Sequence, residues 1–486
     1  MKRSEISAMA RAIKPALSLA VLATVSLQAM AAATITVVNN DGANEGFNDP
    51  TPVAPVGGNP GTTLGAQRLF AFQHAANLWG AKLTSNVTIS IRANFDPLTC
   101  TATSATLGSA GATQVFANFP GAQQPDTWHS YALANKLVGS DVSSSPGPQI
   151  SARFNSNLGQ ANCLAGSPFY LGIDSNHGSA IDLVAVLLHE FGHGLGFQTF
   201  TGRNSAGALT GEQFAGLPSI WDHFMLDNTT GKTWVQMTNT ERVNSALNFR
   251  NLAWTGANVT SNVPNVLSLG TPLLNISGPN AGPTAGMYQI GNASFGPALT
   301  AGGVSGQLMP VVAQPGGTGP GCEPFNATNA RAVAGNIALI DRGVCGFTIK
   351  VKNAQNAGAI GVVIADNAAG SPTGLGGTDA TITIPSVRIT LADGNALKAR
   401  LATRSRTASG VIAKLFIDTS QYAGADRQGR MTLYTPNPFI GGSSISHFDT
   451  LATRNLLMEP SINADLTQSV DVPEDLTFPL LKDTGW

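Results

Sequence analysis

Residues 179–194 constrain this chain more than any other stretch. Leu183, Val184, Val186, Leu187, Leu188 and Phe191 fall on nearly every face of a helix, and a helix apolar all round has to be buried. Ser179 or Asp182 can cap its start. Inside it lie His189, Glu190 and His193, which are costly in an apolar interior unless something satisfies them. Two histidines four apart project from one face, one turn above the other. So placed, two imidazoles can grip a single cation with a carboxylate beside it.

That is the HExxH arrangement, and the cation it suits is Zn²⁺. Zinc lowers the pKa of a bound water to about 7. Glu190 is then the group to take that proton and deliver it to a leaving amine. A catalytic zinc takes three protein ligands. Gly196, three residues past His193, can adopt positive φ and end the helix sharply. In the longer HExxHxxGxxH pattern the third histidine comes three residues later, but here that position is Thr199. The residues alone leave Asp222, His223 and His447 as candidates for the third ligand. His74, His129 and His177 are read without a metal role.

HEFGHGLGF, together with SISHFDTLATRNLLMEP and the ending DLTFPLLKDTGW, resembles the leishmanolysin branch of the metzincins. The resemblance implies an α+β fold in which a twisted mixed sheet and an active-site helix form the catalytic domain. It implies one zinc held by His189, His193 and His447, with Glu190 as acid/base. Met458, eleven positions after His447, would sit in a tight turn beneath the metal. The implied activity is that of an endopeptidase acting on protein or peptide substrates.

Between about Val266 and Phe416 the composition changes to short strands alternating with Gly/Pro turns. NIALIDRG, AIGVVIADN and TITIPSVRIT read as strands. FTIKVKNAQNAG and residues 391–401 read as helices. GNIALIDRGVCGFTIKVKNAQNAGAIGVVIADN, continued by ITIPSVRITLADGNAL, resembles a protease-associated (PA) domain. That resemblance implies a β-rich α/β insertion without catalytic residues, one that covers a cleft or helps bind substrate. Asp341, Arg342 and Lys350 then have structural roles. The expected organisation is a signal peptide at 1–31, a catalytic part at 32–265, the insertion at 266–416, and a catalytic C-terminal part at 417–486.

Within the first catalytic part, ATITVVNN and VTISIRANF read as strands. Residues 64–82 read as a helix, with Leu69, Phe72, Ala76 and Trp79 at helical spacing. QISARFNSNL reads as a third strand at a sheet edge, where a peptide backbone could pair. The stretch up to about Pro125, rich in Gly, Ala and Gln, carries no strand signal.

The remaining features bear on compartment and partners. Lys2, Arg3, Arg11 and Lys14 precede a short apolar run ending in Ala29-Met30-Ala31, as in a secretory signal cleaved after Ala31. The mature chain is expected to be secreted or periplasmic, without a membrane anchor. The four cysteines in an exported chain predict two disulfides, and sequence proximity suggests Cys100–Cys163 and Cys322–Cys345. A net charge of −1 without a Lys/Arg cluster argues against nucleic acid as a partner. The alternative reading is a non-catalytic exported binding protein that uses the insertion, with a vestigial or structural zinc site closed by a fourth protein ligand. A two-zinc aminopeptidase would need a second cluster of carboxylates and histidines, which the sequence does not present.

Overall fold

The computed structural model describes residues 32–204, 207–312 and 319–486. The expected signal segment lies outside them. The fold is mixed α/β. Strand β1 (Ile35–Asn39) leads through helix α1 (Leu64–Lys82) to β2 (Ile89–Asp96), and the two strands pair in parallel. A parallel pair needs a crossover of this kind. Thr63 starts α1 by accepting a hydrogen bond from the Ala66 N–H. Phe72, Ala76 and Trp79 face the core as their spacing predicts, whereas Leu69 is exposed and Ala71 and Ala75 complete the buried face.

The four-stranded sheet continues with β3 (Gly108–Ala112) and β4 (Ile150–Asn155), in the order β1-β2-β4-β3. QISARFNSNL is therefore not an edge strand. Its strand β4 pairs in parallel with β2 on one side and antiparallel with β3 on the other. The edge is β3, whose sequence GSAGA has neither β-branched residues nor alternation. Its extended form comes from pairing, with Asn155 N–H on the Leu107 carbonyl and Thr113 N–H on the Gln149 carbonyl.

Helix α2 (Leu183–Leu195) packs on this sheet and on α1, and Trp79 Nε1 donates to the Leu188 carbonyl at 3.0 Å. It starts four residues later than the apolar pattern suggested. Its cap is Asp182, which accepts from the Val184 and Ala185 N–H groups. Helix α3 (Ala257–Val266) closes the part of the chain that precedes the insertion. The C-terminal segment then returns to the same core, where Leu456, Leu457, Met458, Leu480 and Leu481 share one apolar cluster with Phe72, Leu187 and Phe191.

Residues 269–422 form a separate eight-stranded sheet. Its strands are β5 (Leu269–Ser277), β6 (Gly286–Gln289), β7 (Gly291–Asn292), β8 (Val304–Pro310), β9 (Ile337–Asp341), β10 (Gly361–Ala365), β11 (Ser386–Ile389) and β12 (Ile412–Tyr422). The order is β6-β5-β12-β8-β9-β10-β11-β7, with parallel pairing from β8 to β11. Helices α4 (Phe347–Asn356) and α5 (Leu391–Leu401) pack against β10. Two apolar clusters belong to this unit alone. Strand β12 runs past the expected limit at 416, because its pairing with β5 extends to Tyr422. Cys322 and Cys345 are disulfide-bonded here, as are Cys100 and Cys163 in the first part. No helix among the described residues is long and apolar enough to cross a membrane. The chain ends in helix α6 (Thr477–Thr484).

Candidate metal centre

Three histidines meet at the C-terminal half of α2. The Nε2 atoms of His189, His193 and His447 lie 3.2 Å from one another in all three pairings. On each ring, Nδ1 faces a backbone carbonyl. These are Leu457 at 2.7 Å for His189, Phe197 at 2.7 Å for His193 and Ser443 at 2.8 Å for His447. A carbonyl only accepts, so each Nδ1 carries the proton and each Nε2 presents a lone pair. Three lone pairs converging without a hydrogen between them repel unless a cation sits at their centre. Tetrahedral zinc bonds of about 2.0–2.1 Å place ligand nitrogens about 3.3 Å apart, so the donor set and its spacing suit zinc.

Burial favours the neutral rings a metal requires. It pushes His189 down to about 4. It also takes His193 down to about 3, with the neighbouring His189 adding to the effect. His447 is held well below its ordinary value, by burial first and then by the two facing rings. Glu190, on the same helix, is pushed up to about 8 by burial, opposed by a hydrogen bond from the Ala110 backbone of β3.

Local sequence explains how α2 delivers its part. Gly196 adopts φ +122° and ends the helix, so the chain turns back and its Phe197 carbonyl meets His193. A side chain at Gly192 would start 3.1 Å from the Met458 sulfur, which lets that fully buried methionine lie directly against the helix. The preceding residue, Leu457, holds His189 through its carbonyl, while its own N–H donates to Asp475 at 2.7 Å. His447 arrives from the far end of the chain. Its neighbour Phe448 packs on Phe197 with ring centroids 5.1 Å apart, and the Phe448 N–H donates to the Met458 carbonyl.

The other third-ligand candidates lie elsewhere. Asp222 caps the short turn Ile220–Phe224 by accepting from the Ser219 N–H, and it receives the Thr199 hydroxyl at 2.7 Å. His223 Nε2 lies 3.0 Å from the Thr127 hydroxyl. Thr199 still abuts the centre's supporting loop, since its N–H donates to Ser446 Oγ at 3.3 Å. His129 and His177 bond to backbone carbonyls through Nδ1. Among the described residues, the histidine trio is the group of three or more such side chains spaced to hold a metal.

The trio and Glu190 open onto a cavity of about 710 Å³. Strand β3 lines one side, residues 441–447 another, and residues 459–462 a third. The cavity also holds a carboxyl that the sequence reading missed. Glu459 is 2 % exposed and is pushed up to about 8, chiefly by burial. A lone Glu in a tail of loops carries no signal that it will be buried. Asp341, Arg342 and Lys350 lie in the insertion, paired with Lys398, Asp366 and the Pro320 carbonyl respectively.

Comparison with known proteins reaches part of the chain. Residues 304–397 match the PA domain family. A probable lipoprotein aminopeptidase of Mycobacterium tuberculosis is 35% identical over 124 residues, covering 23% of this chain and 24% of that protein. Vacuolar-sorting receptor 5 of Arabidopsis thaliana is 50% identical over 48 residues, covering 10% and 8%. Among solved structures, an aminopeptidase from Aneurinibacillus sp. strain AM-1 is 26% identical with a TM-score of 0.24, over 31% of each chain. The chain thus spans about a quarter or less of the curated relatives it matches, and what the matches establish is a PA domain within a mixed α/β protein.

Proposed function

We propose that this chain is an exported zinc-dependent endopeptidase of the metzincin type, with the PA domain inserted between the helix and the tail that build its centre. The observation that carries the reading is the equilateral set of three Nε2 atoms, 3.2 Å apart, each ring locked by a carbonyl behind it. No fourth protein ligand stands with the trio among the described residues, which favours an open, catalytic site over a closed structural one. The two disulfides fit an oxidising compartment. The aminopeptidase named among the relatives supports peptide hydrolysis as the reaction class.

Zinc bound by the trio would supply the Lewis acidity that makes water nucleophilic near neutral pH and polarises a peptide carbonyl. Glu190 then takes the proton of the attacking water and passes it to the departing amine. Burial raises its pKa in the metal-free site, and a dication at the trio would draw it back toward the ionised form that a base needs. Edge strand β3 orients the substrate. Its odd-numbered residues bond to β4, which leaves backbone groups of Gly108 and Ala112 facing outward on either side of Ala110, whose backbone bonds Glu190. An extended peptide can add there as a further strand. Such a site grips backbone on both sides of a cleaved bond and needs no free terminus.

The test is hydrolysis of casein or an internally quenched peptide by the zinc-loaded protein. Chelation should abolish it, and Glu190→Ala should lower it by about 10²–10⁴-fold with zinc content unchanged. A Glu190→Ala protein as active as wild type would end the proposal.

A further inference from the structure

Glu459 sits in the cavity of the metal centre with no cation of its own. Its oxygens accept from the Leu456 N–H at 2.9 Å and the Asn463 side-chain amide at 3.2 Å, and both of these are neutral donors. None of the ion pairs among the described residues involves it. The nearby charges that act on it, Asp449 and Asp465, are also acidic. A carboxylate bonded by two neutral donors keeps room for further ones. A buried acid without a countercharge costs folding free energy, and such sites persist where something outside the fold completes them.

The chain around Glu459 says what shape that completing group has. Leu457 and Met458 lie against the middle of α2, while Gln468 reaches the Asp182 cap at its start, with Nε2 at 3.0 Å from Oδ2. The intervening residues therefore run back along the helix. With Ile181 and Val186 they give the cavity apolar walls at Pro460 and Ile462. A buried carboxyl without an ion-pair partner, set beside apolar lining, matches a long methylene stem tipped by a positive charge. A dication at the histidine trio would draw the same carboxyl back toward ionisation.

We infer that Glu459 makes this cavity a receptor for a lysine or arginine side chain next to the bond that is cut. The inference rests on the endopeptidase reading and adds a substrate class to it.

The experiment digests a randomised peptide library with the zinc-loaded protein and reads the cut sites by mass spectrometry. Lys and Arg should be enriched at one position flanking the cut. For a matched pair of peptides carrying Lys or norleucine there, Glu459→Gln should lower the Lys-to-norleucine ratio of kcat/KM by roughly thirtyfold, the effect of truncating one partner of a buried charge pair. Glu459→Asp, which keeps the charge, should keep the preference. Zinc content and a cooperative thermal transition check that each variant is folded. Library cleavage without basic enrichment, or a preference that survives Glu459→Gln, overturns the inference while leaving the endopeptidase reading in place. No cleavage of any peptide by the zinc-loaded wild type overturns both.

Discussion

The core that carries the histidine trio and the inserted sheet both bury ionisable groups, and they treat them in opposite ways. In the insertion, Asp366 is nearly inaccessible, yet Arg388 and Arg342 both bond it. Burial alone would raise its pKa, but the two guanidinium groups outweigh burial and hold the carboxyl below its usual value. Buried Lys350 likewise rests on the Pro320 carbonyl. Around the trio, His189, His193, His447, Glu190 and Glu459 are buried with no fixed countercharge, and all are pushed toward their neutral forms. The insertion completes its own electrostatics, whereas the core leaves these groups without a charged partner. A folding unit needs the first arrangement, and a working site needs the second.

The sharpest way to break this contrast is to remove one partner from the insertion. Arg388→Met leaves Asp366 buried beside the half-exposed Arg342 alone. We expect a loss of about 3–5 kcal/mol in chemical unfolding. A loss no larger than that of a surface substitution would mean the pair is not what satisfies the insertion. The next largest effect should come from the metal. At free zinc a hundred times its Kd, binding to the folded chain adds about 2.7 kcal/mol, read as a rise in Tm over the chelated protein. His447→Ala should lose most of that rise. An equal rise in the variant would remove His447 from the centre.

A third test of the contrast is a matter of pH in the metal-free protein. Burial raises Glu459 from an ordinary value of 4.5 to about 8. The folded chain then keeps a proton that the unfolded chain releases, so this contribution is fully present below about pH 4.5 and is lost as pH rises through 8. Wild type should therefore lose stability relative to Glu459→Gln between those values and run level above them. His189 and His193 have the opposite sign. Their lowered values make them destabilising as pH falls from 6.5 toward 4 and 3. A wild-type-minus-variant difference in urea midpoint that is flat from pH 5 to 9 would show that Glu459 is not buried uncharged.

How much was legible beforehand varied with the reach of each signal. Helix α1 could be placed at 64–82 because its apolar spacing and the Thr63 cap are local. The α2 boundary was set too early because Ser179 and Asp182 are both plausible caps, and packing selects the second. β3 was invisible, since GSAGA has no strand propensity and becomes a strand by pairing with β4. That error moved the expected peptide-binding edge to the wrong strand.

By itself the sequence determined which groups share a helix face. Backbone geometry puts residues four apart in register wherever a helix forms, so His189 and His193 needed no tertiary knowledge. It also carried the cysteine pairing and the strand pattern of the insertion, which depend on neighbours close along the chain. The residues alone left the third position open among Asp222, His223 and His447 until the resemblance pointed to His447. Only the tertiary structure brings that residue to the pair from 254 positions away, sets which strand stands at the sheet edge, and buries Glu459 in the cavity lining without an ion-pair partner. Those outcomes depend on how the core closes around the insertion, a long-range property that no local periodicity encodes.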